Sequence, residues 1–209
     1  MAFSRRGLMG RILGKRPFRR GCLAIQVVIE AGNDVEMRRR FHKHIDESPN
    51  ETPAHKRKFY KGMTSLLREQ QHLFEYASYS YEDDERKADE EFRDWVGELE
   101  ANMATEAIEV GDEIDGMNRM SADKKYIVVS MVFLLTSPHP WGIDLNDEDE
   151  DSYTRTYLGD LIDSVNLLDF DQGLEGDAIF LLPGSDEDGL SFSDITTEGW
   201  EHLHLLASG

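Results

Sequence analysis

The chain has 209 residues, 39 % hydrophobic and 31 % charged, with a formal net charge of −19. That length suits one domain able to bury roughly 70 % of its unfolded surface, and the periodic spacing of the apolar residues excludes a disordered chain despite the charge. The single Cys22 excludes an intramolecular disulfide and fits a reducing compartment. Because it leads into an apolar strand, it reads as an inert, partly buried thiol.

Residues 1–21 form a basic arm and residues 22–209 a single body. Arg5, Arg6, Arg11, Lys15, Arg16, Arg19 and Arg20 are the seven basic residues of positions 1–20, which hold no acidic one; the remaining 189 residues carry 16 basic against 42 acidic, or −26. An acidic body repels nucleic acid and anionic lipid at long range, so only the arm suits such partners. Arg11, Lys15 and Arg16 interrupt any apolar stretch long enough for a secretory signal. Phe3, Leu8, Ile12 and Leu13 could line one face of a short basic amphipathic helix, which Gly7, Gly10, Gly14 and Pro17 weaken. The seven cations are the candidate contact to an anionic membrane surface or to a partner. A solvated leader and an organellar transit sequence are the competing readings.

"CLAIQVVIEA" (22–31) alternates with period two and predicts a strand, with Leu23, Ile25, Val27 and Ile29 on one face. Gly32 and Asn33 break it. Asp34 then caps a helix with Met37, Phe41 and Ile45 on its stripe and Arg38 to Arg40 and Lys43 on the other faces. After the loop "ESPNETP", Thr52 as N-cap and Pro53 as first residue open a second helix carrying Phe59, Met63, Leu66 and Leu67. "HLFEYASYSYED" predicts a second strand. A long helix follows, its core stripe Phe92, Trp95, Val96, Leu99 and Met103, and 106–123 reads as a loose connection.

"YIVVSMVFLL" (126–135) is far short of the ~20 residues a membrane-crossing helix needs. Both of its parities are apolar, which predicts a strand covered on both faces in the middle of a sheet. "SPHPWGIDLNDEDED" is a loop. Asp151 or Ser152 caps a helix with Tyr153, Tyr157, Leu158, Leu161, Ile162, Val165 and Leu168, where Asp147 to Asp151 complement the helix dipole. "DAIFLLPG" is a fourth strand ended by Pro183 and Gly184, "SDEDGLSFSD" a turn-rich loop, and Trp200, Leu203, Leu205 and Leu206 a short packed segment. The sum is an α+β fold: one mixed, roughly four-stranded sheet packed by about four helices, in the order β-α-α-β-α-β-α-β. The repeated layout carries no shared residue pattern, so no internal repeat is drawn from it.

No residue pattern selects an enzyme. The pairs His42/His44 and His202/His204 lack the further ligands of a zinc site, and neither Asp144-x-Asn146-x-Glu148 nor Asp186-x-Asp188-Gly189 has the glycine and glutamate of a calcium loop. No dinucleotide fingerprint, phosphate-binding loop or nucleophile elbow is present. No cofactor is implied, and no catalytic or metal-binding residue is assigned. Glu90, Asp94 and Glu98 form a row at i, i+4 and i+8 on the long helix that reads as a solvated face. Tyr76, Tyr79 and Tyr81 have the spacing of a stacking platform but no interleaved cations.

Three stretches carry a family resemblance: "TPAHKRKFYKGMTSLLREQQHLFEYASYS", "KKYIVVSMVFLL" and "DAIFLLPGSDEDGLSFSDI". Together, in order, they resemble the uncharacterised domain-of-unknown-function family fifteen-seventeen of cyanobacteria, chloroplasts and some other bacteria. The likeness spans about residues 22–206. It implies no catalytic residues, because that family has none established; its plant members are thylakoid-associated and linked to acclimation to fluctuating light. Those relatives usually have a glycine-rich segment and a membrane helix where this chain has its basic arm, and a Trp-Thr-Pro where it has Leu181-Leu182-Pro183.

The expected function is a non-enzymatic interaction or regulatory module that binds protein, located in the cytoplasm and peripheral to a membrane through its arm. The alternatives are an acidic inhibitor or immunity-type protein that binds a basic partner, and a hydrolase with a nonstandard site.

Overall fold

The computed structural model describes residues 20–111, 124–139, 153–185, 188–196 and 200–207. Four long strands carry the sheet: β1 (Gly21–Glu30), β2 (Phe74–Glu82), β3 (Lys124–Leu135) and β4 (Leu174–Leu182). The helices are α1 (Val35–Glu47), α2 (Pro53–Glu69), α3 (Glu85–Gly111) and α4 (Arg155–Ser164). Two strands of two residues each, β5 (Leu190–Ser191) and β6 (His204–Leu205), raise the sheet to six. The fold is α+β, and its long elements follow the expected order.

The sheet runs β4-β3-β1-β2-β6, with β5 also on β3. Every pairing between these strands is antiparallel, and one parallel bridge joins Thr154 to Ala207. β1 and β3 occupy the middle, as runs apolar at both parities require. Tyr126 through Leu135 are all buried, as are Gly21 through Ile29. The even positions of β1 are thus covered as fully as the odd ones.

One face of the sheet supports a continuous core. Leu23, Ile25, Val27 and Ile29 of β1 and Ile127, Val129, Met131 and Phe133 of β3 pack with Met37 and Phe41 of α1, Phe59, Tyr60, Met63 and Leu67 of α2, and Leu158, Leu161 and Ile162 of α4. Asp34 caps α1 by accepting from the Met37 N–H at 2.9 Å, and Thr52 caps α2 ahead of Pro53. Gly32 has φ +53, the left-handed region that glycine enters without cost, and so turns the chain sharply from β1 towards α1.

The other face lies under α3 and the C-terminal segment, and its core is divided. Cys22, Ala24 and Val132 pack with Ala88 and Leu99 of α3, backed by Phe92 and Trp95. Val28, Tyr126, Val128 and Leu182 pack with Ile195, backed by Trp200 and Leu203. Between the two clusters the register aligns Ser78, Gln26 and Ser130 across three strands.

Several expectations are corrected. β4 begins at Leu174, ahead of Asp177, and α3 extends to Gly111, so the first third of the presumed connection is helical. The N-cap of α4 is Thr154, whose hydroxyl accepts from the Tyr157 N–H at 3.1 Å. Tyr153 accordingly precedes that helix, while Asp147 to Ser152 lie outside the described residues. Met103, assigned to the α3 stripe, is exposed because the helix has passed beyond its small cluster by that turn. Arg38, assigned to an outer face, is buried and donates to the Gly32 carbonyl at 2.9 Å. Leu205 points outward while its neighbour Leu206 is buried.

Candidate functional site

Along one flank of α3, where the helix crosses the end of β2, an open hollow of about 320 Å³ is lined by Glu82, Lys87, Glu90, Glu91, Asp94, Trp95 and Glu98. Its shape follows from the local sequence. Asp84 starts α3 by accepting from the Arg86 and Lys87 N–H groups, and Ala88 is small enough to sit flat on the sheet. Helical periodicity then places residues 91, 94, 95 and 98 on the flank facing β2. Glu91 accepts a hydrogen bond from Ser80 of β2, and Lys87 lies 3.6 Å from Glu82.

Glu90, Asp94 and Glu98 stay exposed, and among the described residues no ion pair joins any of them. Like charges at i, i+4 destabilise a helix by about 0.2–0.5 kcal/mol per pair. The row is exposed, as a solvated face should be, and it also forms one wall of a concave negative surface with Trp95 beside the carboxylates.

Behind Trp95 lies the polar seam of the sheet. Gln26, 1 % exposed, donates from Nε2 to Ser130 Oγ at 2.9 Å, and its Oε1 accepts from His202 Nε2 at 2.7 Å. The His202 ring meets Trp95 edge-on at 5.4 Å and lies nearly parallel to Trp200 at 6.3 Å. Burial lowers the His202 pKa, against the opposing pull of Glu98 and Glu201. The neutral imidazole thus pins the C-terminal segment onto the sheet. Cys22, under α3, has its thiol pushed up to about 12, first by burial and then by Glu91 and Glu82, and so stays protonated.

A second polar cluster sits at the far end of this face. Lys125 bonds Glu30 and lies 5.0 Å from the Tyr126 ring centroid, while the Tyr126 hydroxyl donates to Glu75 at 3.3 Å. The Lys125 bond lowers the Glu30 pKa, whereas burial and the nearby Glu30 raise that of Glu75. These groups satisfy one another, and the register change at Val28/Ile29 that brings Glu75 inward accounts for them.

The other residues singled out from the sequence are distributed. His44 stacks on Phe59 and donates Nε2–H to its carbonyl at 2.8 Å, and His204 stacks on Tyr153 at 4.0 Å. Among the described residues no group of three or more His, Cys, Asp or Glu side chains is placed to hold a metal ion. Tyr79 and Tyr81 are buried on the α4 face, whereas Tyr76 joins the opposite one, so the three form no platform. Of the arm's cations, Arg5, Arg6, Arg11, Lys15, Arg16 and Arg19 lie outside the described residues. Arg20 forms a two-bond fork with Glu175 of β4 at 2.6 and 2.8 Å and reaches Asp89 of α3 at 2.7 Å.

No helix among the described residues is long and apolar enough to cross a membrane. No family model, no curated protein and no solved structure matches the chain.

Proposed function

We propose that the protein is a non-enzymatic interaction module that takes a basic segment of a partner protein in the α3 hollow. The observation that carries this reading is the composition of the wall: five carboxylates and one lysine, itself beside Glu82, around the half-buried Trp95. Guanidinium groups fit such a surface twice over, by charge-assisted hydrogen bonds to carboxylates and by stacking on an indole. The reading joins the regulatory module and the acidic binder of basic proteins in one surface.

The test is fluorescence anisotropy with an arginine-rich nonapeptide, on the full chain and on the triple variant Glu90→Gln/Asp94→Asn/Glu98→Gln. Affinity is expected to fall at least threefold in the variant, since each exposed pair contributes about 0.2–1 kcal/mol, and to fall further as salt rises. Equal binding by both proteins would remove the hollow as the site.

The arm carries a second proposal, contact with an anionic membrane surface, favoured by the six cations that precede Arg20 with no acidic residue in positions 1–20. Co-sedimentation with phosphatidylserine vesicles at physiological salt, for the chain with and without neutralised arm cations, tests it. Equal sedimentation of the two would sink it.

A further inference from the structure

The wall of the α3 hollow has a titratable ring directly behind it. We propose that His202 gates the hollow: as the neutral imidazole it leaves Glu98 and the Trp95 face to a basic segment, and as the imidazolium it competes for Glu98 and repels that segment. The inference rests on the reading of the hollow as a site for basic segments, and adds its regulation.

His202 is held from more than one side. Its Nε2 donates to Gln26 Oε1 at 2.7 Å, its ring meets Trp95 edge-on at 5.4 Å, and Trp200 lies nearly parallel to it at 6.3 Å. Gln26 is 1 % exposed and anchored in turn on Ser130, so the ring cannot swing away without leaving a buried amide oxygen unpaired. The segment that carries it is tied down separately, by Leu206 N–H on the Glu75 carbonyl at 2.8 Å and Ala207 N–H on the Tyr153 carbonyl at 2.9 Å. Because Nε2–H donates in either charge state, protonation leaves the ring in place and places a positive charge behind Trp95.

The groups facing the ring decide the sign. Glu98 comes from α3; Glu201 and His204 come from the ring's own segment, the acids favouring the charged form and His204 opposing it. β1 contributes the neutral Gln26. Burial is the largest influence and sets the net direction, below the ordinary histidine value, so the ring is neutral near pH 7 and charges as pH falls. Glu98 also lines the hollow beside Trp95, so one carboxylate faces both the imidazole and the ligand. A guanidinium stacked on Trp95 would sit on the order of 10 Å from His202, where a second positive charge lowers its affinity roughly twofold or more. By linkage, a bound cation must in turn make His202 harder to protonate.

The experiment uses the full chain. Affinity for the arginine-rich nonapeptide is measured by fluorescence anisotropy at constant ionic strength from about pH 7.5 to about pH 5, a window that covers histidine and stops short of an ordinary carboxylate. The parent chain is compared with His202→Gln, which offers Gln26 an amide donor but cannot be charged, and with His204→Gln. Affinity of the parent and of His204→Gln should fall at least about twofold more than that of His202→Gln. Equal falls in the parent and His202→Gln would overturn the gate, because the carboxylates would then account for the whole effect. So would a loss of the extra fall in His204→Gln. A reciprocal measurement needs no variant: the His202 ring, followed by NMR in the parent chain, should titrate at lower pH when saturated with peptide, and an unchanged titration would overturn the gate as well.

The two readings fail differently. If the parent does not bind the nonapeptide near pH 7.5, the hollow falls as a site and the gate falls with it. If it binds, and Glu90→Gln/Asp94→Asn/Glu98→Gln weakens that binding while His202→Gln leaves the pH profile unchanged, the hollow stands and the gate alone is removed.

Discussion

On the face covered by α1, α2 and α4, residues from every long strand interlock with three helices in one uninterrupted apolar core. Under α3, by contrast, the row Ser78, Gln26, Ser130 divides the apolar residues into two small groups, and the hollow opens at the outer edge of one of them. A continuous core is close-packed and transmits any loss of volume. A divided one has nearby solvent into which it can relax. The difference assigns stability to the first face and exchange with the surroundings to the second.

The strongest way to break this comparison is to empty one site on each face. Phe59→Ala, at a side chain 1 % exposed and packed edge-on against Tyr60, should cost about 3–5 kcal/mol in urea denaturation. Leu99→Ala, equally buried but in the small α3 cluster, should cost only about 2–3 kcal/mol, the low end for such truncations. Equal losses would abolish the distinction.

Acid should act on the continuous core through His139. This ring is buried, bonded to Ser164 Oγ at 3.3 Å and packed on Tyr81, and burial pushes its pKa down to about 4. The unfolded chain, with an ordinary histidine near 6.5, binds more protons between those values, so this contribution to stability is intact above about pH 6.5 and is lost as pH falls. At pH 5 the loss should be about 2 kcal/mol. Comparing the pH dependence of urea midpoints for the parent chain and His139→Gln isolates it from the carboxylates. Profiles of the same slope would show that His139 ionises freely.

Two glycines give the smaller effects, of opposite sign. A methyl group at Gly62 would overlap the His44 ring where α1 crosses α2, so Gly62→Ala should destabilise by about 1–3 kcal/mol. Gly97 on α3 has nothing within 4 Å of such a methyl, and Gly97→Ala should stabilise by about 0.5–1 kcal/mol from backbone entropy alone. Thermal or urea midpoints moving the same way in both variants would show that α3 is packed as tightly as α2.

The features legible in the sequence were those whose cause is local. Asp34, Thr52 and Pro53 announce their helices because capping needs only the next few residues, and the unbroken apolar parity of 126–135 places β3 at the centre. β5 and β6 are too short for any alternation to register. Tyr60 does not read as a core residue, because its hydroxyl donates at 2.8 Å to Asp177, 117 positions away, and nothing nearby in the chain signals that partner. Gln26 is visible as a lone amide in an apolar strand, but its histidine arrives 176 residues later. The row Glu90, Asp94, Glu98 was equally plain, and what it lacked was depth: the hollow exists only once β2 ends beside Trp95.

The central position of β1 has a consequence for how the chain is made. Among the described strands it is the first to be synthesised, yet its two neighbours are β2 and β3, and Gly21 meets Leu135 only after more than a hundred further residues. Loop closure over such spans is slow, and synthesis at about 5–20 residues per second leaves the strand without its second flank for several seconds or longer. A ten-residue segment apolar on both sides must therefore travel unpaired through the ribosome's surroundings. The nascent chain's need for a chaperone should peak before residue 135 emerges and fall away once β3 closes over β1.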